Sequence, residues 1–290
     1  MAGSPADLAF IEPASPAVEL PGAGKTRSLA LLRRAAYLLP FPLTGGLYES
    51  LRGVFRQHGS VHVGDLAALE ARLFSVATAE GPRPLSEVIA RHASAWLDVW
   101  CGATYFLFLV EIIGVTAYLA FRGARSRALE LSLGFLLVNL LGWLVWVCYP
   151  AAPPWYLDMY GPQATVLNVV SSPAGLLRFD ALLGLPLAST FYAQSADVFG
   201  AVPSLHVAYA TLVVCVLASL RGRLRLAALG FALSMAFSAV YLRHHYILDV
   251  LAGALLAVLV ALGMRALRWL VGERAPSVAR AGGGLRGERA

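Results

Sequence analysis

The chain has 290 residues, 58% hydrophobic and 14% charged, with a mean hydropathy of +0.67. A soluble domain carries about 25% charged residues, so this balance excludes a soluble globular domain and points to a polytopic membrane protein. The net charge of +6 forms no basic stripe interleaved with aromatics, which argues against a nucleic-acid partner; the arginines cluster between apolar runs, as membrane topology requires.

Residues 1–27 are Pro-, Ala- and Gly-rich and are expected to be a disordered cytoplasmic N-terminus without a cleavable signal. The run 28–52 is a weak span, expected to be broken by Pro40, Pro42 and the Gly45-Gly46 pair. In VHVGDLAALEARLFSV, residues Leu66, Leu69, Leu73 and Phe74 share one helical face, which predicts a short amphipathic helix on the membrane surface. Five runs have the length and composition of spans: 95–121, 128–149, 203–220, 224–243 and 246–270. Cys101, Cys148 and Cys215 each fall inside an apolar run without metal-ligand spacing and read as small core residues. The tail 272–290 is Gly- and Arg-rich and is expected to be disordered and cytoplasmic.

Arginine placement sets an orientation. Lys25, Arg27, Arg33 and Arg34 lie at the N-terminus. Arg122, Arg125 and Arg127 follow the second span, Arg221, Arg223 and Arg225 the fourth, and Arg265 and Arg268 close the last. The long loop 150–202 carries a single basic residue, Arg178. With six spans every basic cluster is cytoplasmic, and the long loop faces outward with the YLRHHY turn. The expected fold is therefore an all-α polytopic membrane protein. A six-transmembrane-helix bundle over 28–271 carries a long outward loop and a short amphipathic interfacial helix, and both termini are cytoplasmic.

Two polar stretches interrupt this apolar sequence. In YLRHHYILD, residues 241–249, His245 and Asp249 are four apart and share a helical face. The carboxylate can accept the Nδ1–H, fix the tautomer and free Nε2 as nucleophile or base; His244 is the poorer partner. The bland alternative is a capped helix N-terminus with interfacial histidines. In FGAVPSLHVAY, residues 199–209, Pro203 is suited to the first turn of a helix, where Ser204, free N–H groups and the helix dipole make an anion site. His206 in the same turn can donate a proton to a leaving oxygen; alternatively it is a lone interfacial histidine. Both stretches fall at outer span ends, and together they suit phosphoryl transfer through a phosphohistidine.

PSLH followed about 40 residues later by HHYxxD resembles the type 2 phosphatidic acid phosphatase superfamily. More narrowly, YPAAPPWYLDMYG, SSPAGLLRFDALLG, FGAVPSLH and YLRHHYILDVLAG resemble the inositol phosphorylceramide synthase family in order and spacing, over roughly 140–255. The resemblance implies His245 as nucleophile toward the phosphoryl headgroup and Asp249 as its orienter. It implies His206 as acid toward the diacylglycerol oxygen and then base toward the acceptor hydroxyl. It implies transfer of phosphoinositol from phosphatidylinositol to ceramide or a related lipid alcohol, with diacylglycerol released and no metal or organic cofactor.

The chain departs from the phosphatase pattern. It lacks a Lys-x6-Arg-Pro element, has Leu205 where glycine is usual, and has Ala239 where an arginine is expected. Arg178 and Arg243 become the candidate phosphate cations. Pro153, Pro154, Trp155 and Tyr156 either line the headgroup cavity or form a stiff turn with interfacial aromatics. Asp158 and Asp180 can bind inositol hydroxyls, although Asp180 can equally pair with Arg178. Asp98 is expected near an outer span end, and Glu111 is a deeper acid without an evident partner. The competing readings are a lipid phosphate phosphatase and a non-catalytic lipid transporter or binding protein whose histidines relay protons.

Overall fold

The computed structural model describes residues 23–56, 60–163, 166–219 and 222–270. The two expected disordered termini lie almost wholly outside these residues, as does Arg221. The weak first run breaks where its prolines require it. Helix α1 (Ala23–Ala35) passes through a 3-10 turn at Ala36–Leu38 into α2 (Pro40–Ser50), with Pro40 at the first helical position. A single turn, α3 (Arg52–Phe55), follows.

The amphipathic segment forms α4 (Gly64–Leu73), but its faces are not partitioned as expected. Leu66 and Glu70 point into the protein, whereas Leu69 and Leu73 are exposed. Next comes a feature absent from the all-α expectation, an antiparallel hairpin of β1 (Ser75–Thr78) and β2 (Gly81–Pro84). Its two prolines hid it, since proline removes a ladder donor. The hairpin and α5 (Leu85–Arg91) share a surface ion-pair network of Arg83 and Arg91 with Glu80 and Glu87.

The apolar run 95–121 is two helices, α6 (Ala95–Phe106) and α7 (Phe108–Phe121), bent by 49° at Leu107. The Leu107 N–H is shared between the carbonyls of Ala103 and Thr104, a tightened last turn that ends α6. Helices α8 (Arg125–Cys148), α13 (Arg223–Tyr241) and α14 (Ile247–Leu270) are each long and apolar enough to cross a membrane; the bent pair makes a fourth if counted as one span. Between α8 and α13 lie α9 (Pro154–Tyr160), α10 (Leu176–Leu183), α11 (Leu187–Ala193) and α12 (Leu205–Leu217). Leucines such as Leu144, Leu233 and Leu259 face outward on the long helices. A helix that buries one side and exposes apolar residues on the other suits lipid surroundings, and the chain is a multi-pass membrane protein.

Helix α12 is only 13 residues long and is the centre of the bundle. It is apolar on all sides because it packs against α7, α8, α13 and α14 together. Small residues permit this closeness. At Gly253 of α14, an added Cβ would lie 2.2 Å from the carbonyl oxygen of Ser204, and at Gly142 of α8, 2.6 Å from Leu205 Cδ2.

Candidate active site

The two polar stretches meet through backbone pairing. The Ala151 N–H donates to Phe199 O (2.7 Å) and the Ala201 N–H to Ala151 O (3.2 Å), while the Ala152 N–H donates to His62 O (2.8 Å). This narrow ladder pins residues 199–201 against the YPAA segment. Across from it, Ala239 O accepts the N–H groups of both His244 (3.2 Å) and His245 (3.1 Å), and Arg243 adopts φ 64°, giving a tight turn between α13 and α14. The Ser204 N–H then donates to Asp249 O (3.0 Å), joining the PSLH turn to the first turn of α14.

His245 is held differently from the sequence expectation. Its Nδ1–H donates to the backbone carbonyl of Ala201 at 2.9 Å, while Asp249 Oδ2 stands 3.6 Å from the same nitrogen. His245 precedes α14 rather than lying on it, so the four-residue step does not align the two side chains as two ideal helical positions would. The Asp249 Oδ2 instead accepts the Tyr246 N–H at 2.8 Å, and Oδ1 is buried without a hydrogen-bond partner among the described residues. The carbonyl fixes the tautomer, leaving Nε2 unprotonated; Asp249, fully buried, supplies negative charge beside the ring. Glu70 of α4, also buried, accepts the Ile247 and Leu248 N–H groups and caps α14.

His206 lies in the first turn of α12, its ring centroid 6.1 Å from that of His245. Its Nδ1 is 3.2 Å from the Tyr105 hydroxyl, and the Tyr105 ring stacks on it at 4.2 Å. A hydroxyl donating to Nδ1 places the ring proton on Nε2, the arrangement an acid needs. The stack continues through His244, 5.1 Å from Tyr105 and 4.7 Å from Tyr192. His244 donates from Nε2 to Pro173 O at 3.1 Å. Burial, with His245 beside it, pushes its pKa down to about 3, so it is a neutral structural ring. Sequence reasoning missed Tyr105, Tyr192 and Glu70 because each is remote in sequence from both motifs, and Ala201 because it acts through its backbone.

His206, His244 and His245 line one cavity of about 740 Å³. Its wall includes Phe41, Thr44 and Tyr48 of α2, Phe135 and Trp143 of α8, and Tyr209 of α12. No arginine or lysine is among the described residues that line it. A lipid-sized, largely apolar cavity with two histidines converging on its wall fits the handling of an amphipathic substrate.

The PAP2 superfamily profile matches residues 65–263. The chain belongs to the PAP2 superfamily. It is 36% identical over 239 residues to a phosphoinositol dihydroceramide synthase of Bacteroides thetaiotaomicron, covering 81% of this chain and 76% of that protein. It is 35% identical over 178 residues to an inositol phosphorylceramide synthase of Candida albicans, covering 61% of this chain and 38% of that protein. It is 31% identical over 185 residues to an inositol phosphorylceramide synthase catalytic subunit of Schizosaccharomyces pombe, covering 63% of this chain and 44% of that protein. No solved structure matches the chain at a significant level.

Several expected binding residues of this PAP2 protein are engaged elsewhere. Arg178 donates from Nε to Asp98 Oδ1 (2.8 Å) and lies over the Tyr241 ring, whose hydroxyl also donates to Asp98 Oδ1 (2.8 Å). Arg243 forms a bidentate pair with Asp158 at 2.8 and 2.5 Å. Neither arginine lines the cavity; Arg178 ties α10 to α6, and Arg243 ties α9 to the turn before α14. Asp180 does not pair with Arg178. It accepts the Ala188 and Ser189 N–H groups and the Ser189 hydroxyl, capping α11.

Ser204 precedes α12 as its N-cap, one residue after Pro203, so the proline lies outside the helix rather than in its first turn. The Ser204 hydroxyl is buried without a partner among the described residues and is not part of the cavity wall. Of the YPAAPPWY aromatics, Trp155 lines the cavity beside Pro153. Pro154 starts α9, and Tyr156 is buried, with its hydroxyl donating to Val166 O at 2.7 Å. Both carboxylate oxygens of Glu111 are buried without a hydrogen-bond partner among the described residues.

Proposed function

We propose that this PAP2 protein is a phosphotransferase that moves phosphoinositol from phosphatidylinositol to ceramide or a related lipid alcohol, releasing diacylglycerol. The observation that carries the reading is the pair His206 and His245, 6.1 Å apart on the wall of a lipid-sized cavity. The bacterial and fungal relatives, named for phosphoinositol dihydroceramide and inositol phosphorylceramide synthesis, support the choice of headgroup and acceptor.

In this mechanism His245 Nε2 attacks phosphorus and the bond to the diacylglycerol oxygen breaks. His206 Nε2–H supplies the proton that oxygen needs. The acceptor hydroxyl then gives its proton to His206 and attacks phosphorus, and the P–N bond to His245 breaks. One phosphodiester replaces another, so the steps balance without an external energy source. Asp249 stabilises the positive ring of the intermediate, and Ala201 and Tyr105 hold the two imidazoles in opposite tautomers. The chemistry takes place on the outer face of a six-span arrangement. In it α1 with α2 and the short α12 complete the spans, and both termini are cytoplasmic. The arginine clusters support this orientation.

The test is an assay of purified protein with phosphatidylinositol and ceramide, read by mass spectrometry. The proposal expects a phosphoinositol lipid and diacylglycerol in equal amounts. Release of inorganic phosphate from phosphatidic acid, without transfer, would instead establish a lipid phosphate phosphatase.

A further inference from the structure

The cavity carries a polar corner that the two histidines do not use. Arg52 pairs with Glu49 (2.7 Å) and donates to Gln194 O (2.9 Å) and Ser195 O (3.3 Å), tying the end of α2 to the loop before FGAVPSLH. The Asp197 N–H donates to the Tyr48 hydroxyl at 3.3 Å in the same corner. The carboxylates there differ. Glu49 is neutralised by Arg52, whereas Asp197 forms no salt bridge among the described residues. Asp197 Oδ1 accepts the Phe199 N–H at 2.9 Å. Oδ2 and the Trp146 indole both abut Gly200: a Cβ added there would stand 2.5 Å from Oδ2 and 2.7 Å from the indole Cδ2. The indole Nε1–H is itself buried with no acceptor among the described residues. Asp197, Trp146 and Gly200 all line the cavity.

A carboxylate has acceptor capacity beyond the Phe199 N–H, and the indole N–H has no acceptor among the described residues; both belong to cavity-lining residues and suit a ligand with both kinds of group. With no arginine or lysine among the described residues of the wall, the corner suits neutral hydroxyls rather than a second phosphate. Its position selects which part of the substrate it meets. Asp197, Ala201, whose carbonyl holds His245, and His245 itself all line the same cavity, so the corner and the nucleophile share one chamber. The group that stays on phosphorus throughout the reaction must lie within a headgroup's reach of that nitrogen. We propose that Asp197 and the Trp146 indole N–H form a polyol subsite that reads the hydroxyls of the headgroup retained on phosphorus. This rests on the phosphoinositol-transfer reading and names the residues that make it selective for a ring polyol.

The experiment compares the full chain with Asp197→Ala, Asp197→Asn and Trp146→Phe, using ceramide as acceptor and phosphatidylinositol or phosphatidylglycerol as donor. Losing a hydrogen bond to one of these buried polar groups raises KM for phosphatidylinositol about tenfold. The preference over phosphatidylglycerol falls by a similar factor, while KM for ceramide stays unchanged. If Asp197→Ala lowers the melting temperature, Asp197→Asn and Trp146→Phe, which keep the local shape, carry the test. An active wild type whose donor preference is unmoved by these variants overturns the subsite alone, as does a change confined to KM for ceramide. A wild type that transfers nothing from phosphatidylinositol overturns the underlying reading as well.

Discussion

Gly253→Ala should cripple this protein although residue 253 touches no substrate. The added Cβ would sit 2.2 Å from Ser204 O, 3.0 Å from Ser204 C and 3.2 Å from Ser204 N, all backbone atoms that no rotamer change can clear. Ordinary contact begins near 3.4 Å, so α14 and the PSLH turn must separate by about 1 Å (3.4 − 2.2). The same two segments carry Asp249 and His206 and share the 3.0 Å bond from Ser204 N–H to Asp249 O. Overpacking of this kind costs about 1–3 kcal/mol of stability, and a misplacement of about 1 Å between reacting groups costs on the order of 10²-fold in rate. Gly263→Ala on the same helix is the control, since no atom lies within 4 Å of its added Cβ; it should be neutral or slightly stabilising. Transfer rates and thermal melts of both variants in one detergent measure this. Wild-type rate and melting temperature for Gly253→Ala would refute the claim that backbone proximity sets the catalytic geometry.

Asp249→Asn should lower kcat by about 10²-fold, less than the ~10⁴-fold typical where a carboxylate alone fixes the histidine tautomer, because Ala201 O performs that task here. Steady-state kinetics decide it, and a 10⁴-fold loss would mean the Ala201 bond does not hold the ring. Tyr105→Phe keeps the stack on His206 but removes the hydroxyl at Nδ1. It should lower kcat about tenfold with KM for the donor unchanged, and a change in KM alone would contradict the assignment. His244, with its pKa pushed down to about 3, stays neutral in the fold while an unfolded histidine protonates near 6.5. The unfolded state therefore binds the extra proton, and stability falls as pH drops below about 6.5, by up to about 1.4 kcal/mol per unit. Melting temperatures between pH 7 and pH 5 should fall more steeply for wild type than for His244→Gln, and parallel slopes would remove the argument.

The sequence was most legible where a pattern was local. The apolar runs locate α8, α13 and α14, and Pro40 marks where the first run breaks. The pairing of PSLH with HHYxxD brings His206 and His245 to one cavity. Less legible were features set by geometry across the chain. Asp249 is the expected carboxylate, but a backbone carbonyl, which no side-chain pattern encodes, makes the closer bond to His245. Arg178 and Arg243 read as phosphate cations because they are basic residues in outer segments. Their partners Asp98 and Asp158 lie 80 and 85 residues away, beyond what spacing can reveal. The bend at Leu107 is silent because no proline or glycine marks it, yet it lies between Tyr105, which stacks on His206, and Phe108, whose tilted ring also contacts it.

The central claim is that His245 carries the phosphoinositol group between lipids, and trapping tests it most directly. Protein mixed with phosphatidylinositol in the absence of acceptor is quenched under alkaline conditions and digested, and the peptide containing His245 is weighed. A phosphoinositol adduct should form on His245, disappear when ceramide is added and be absent from His245→Ala. Turnover by His245→Ala at the wild-type rate, or an adduct on His206 or His244 instead, would contradict it.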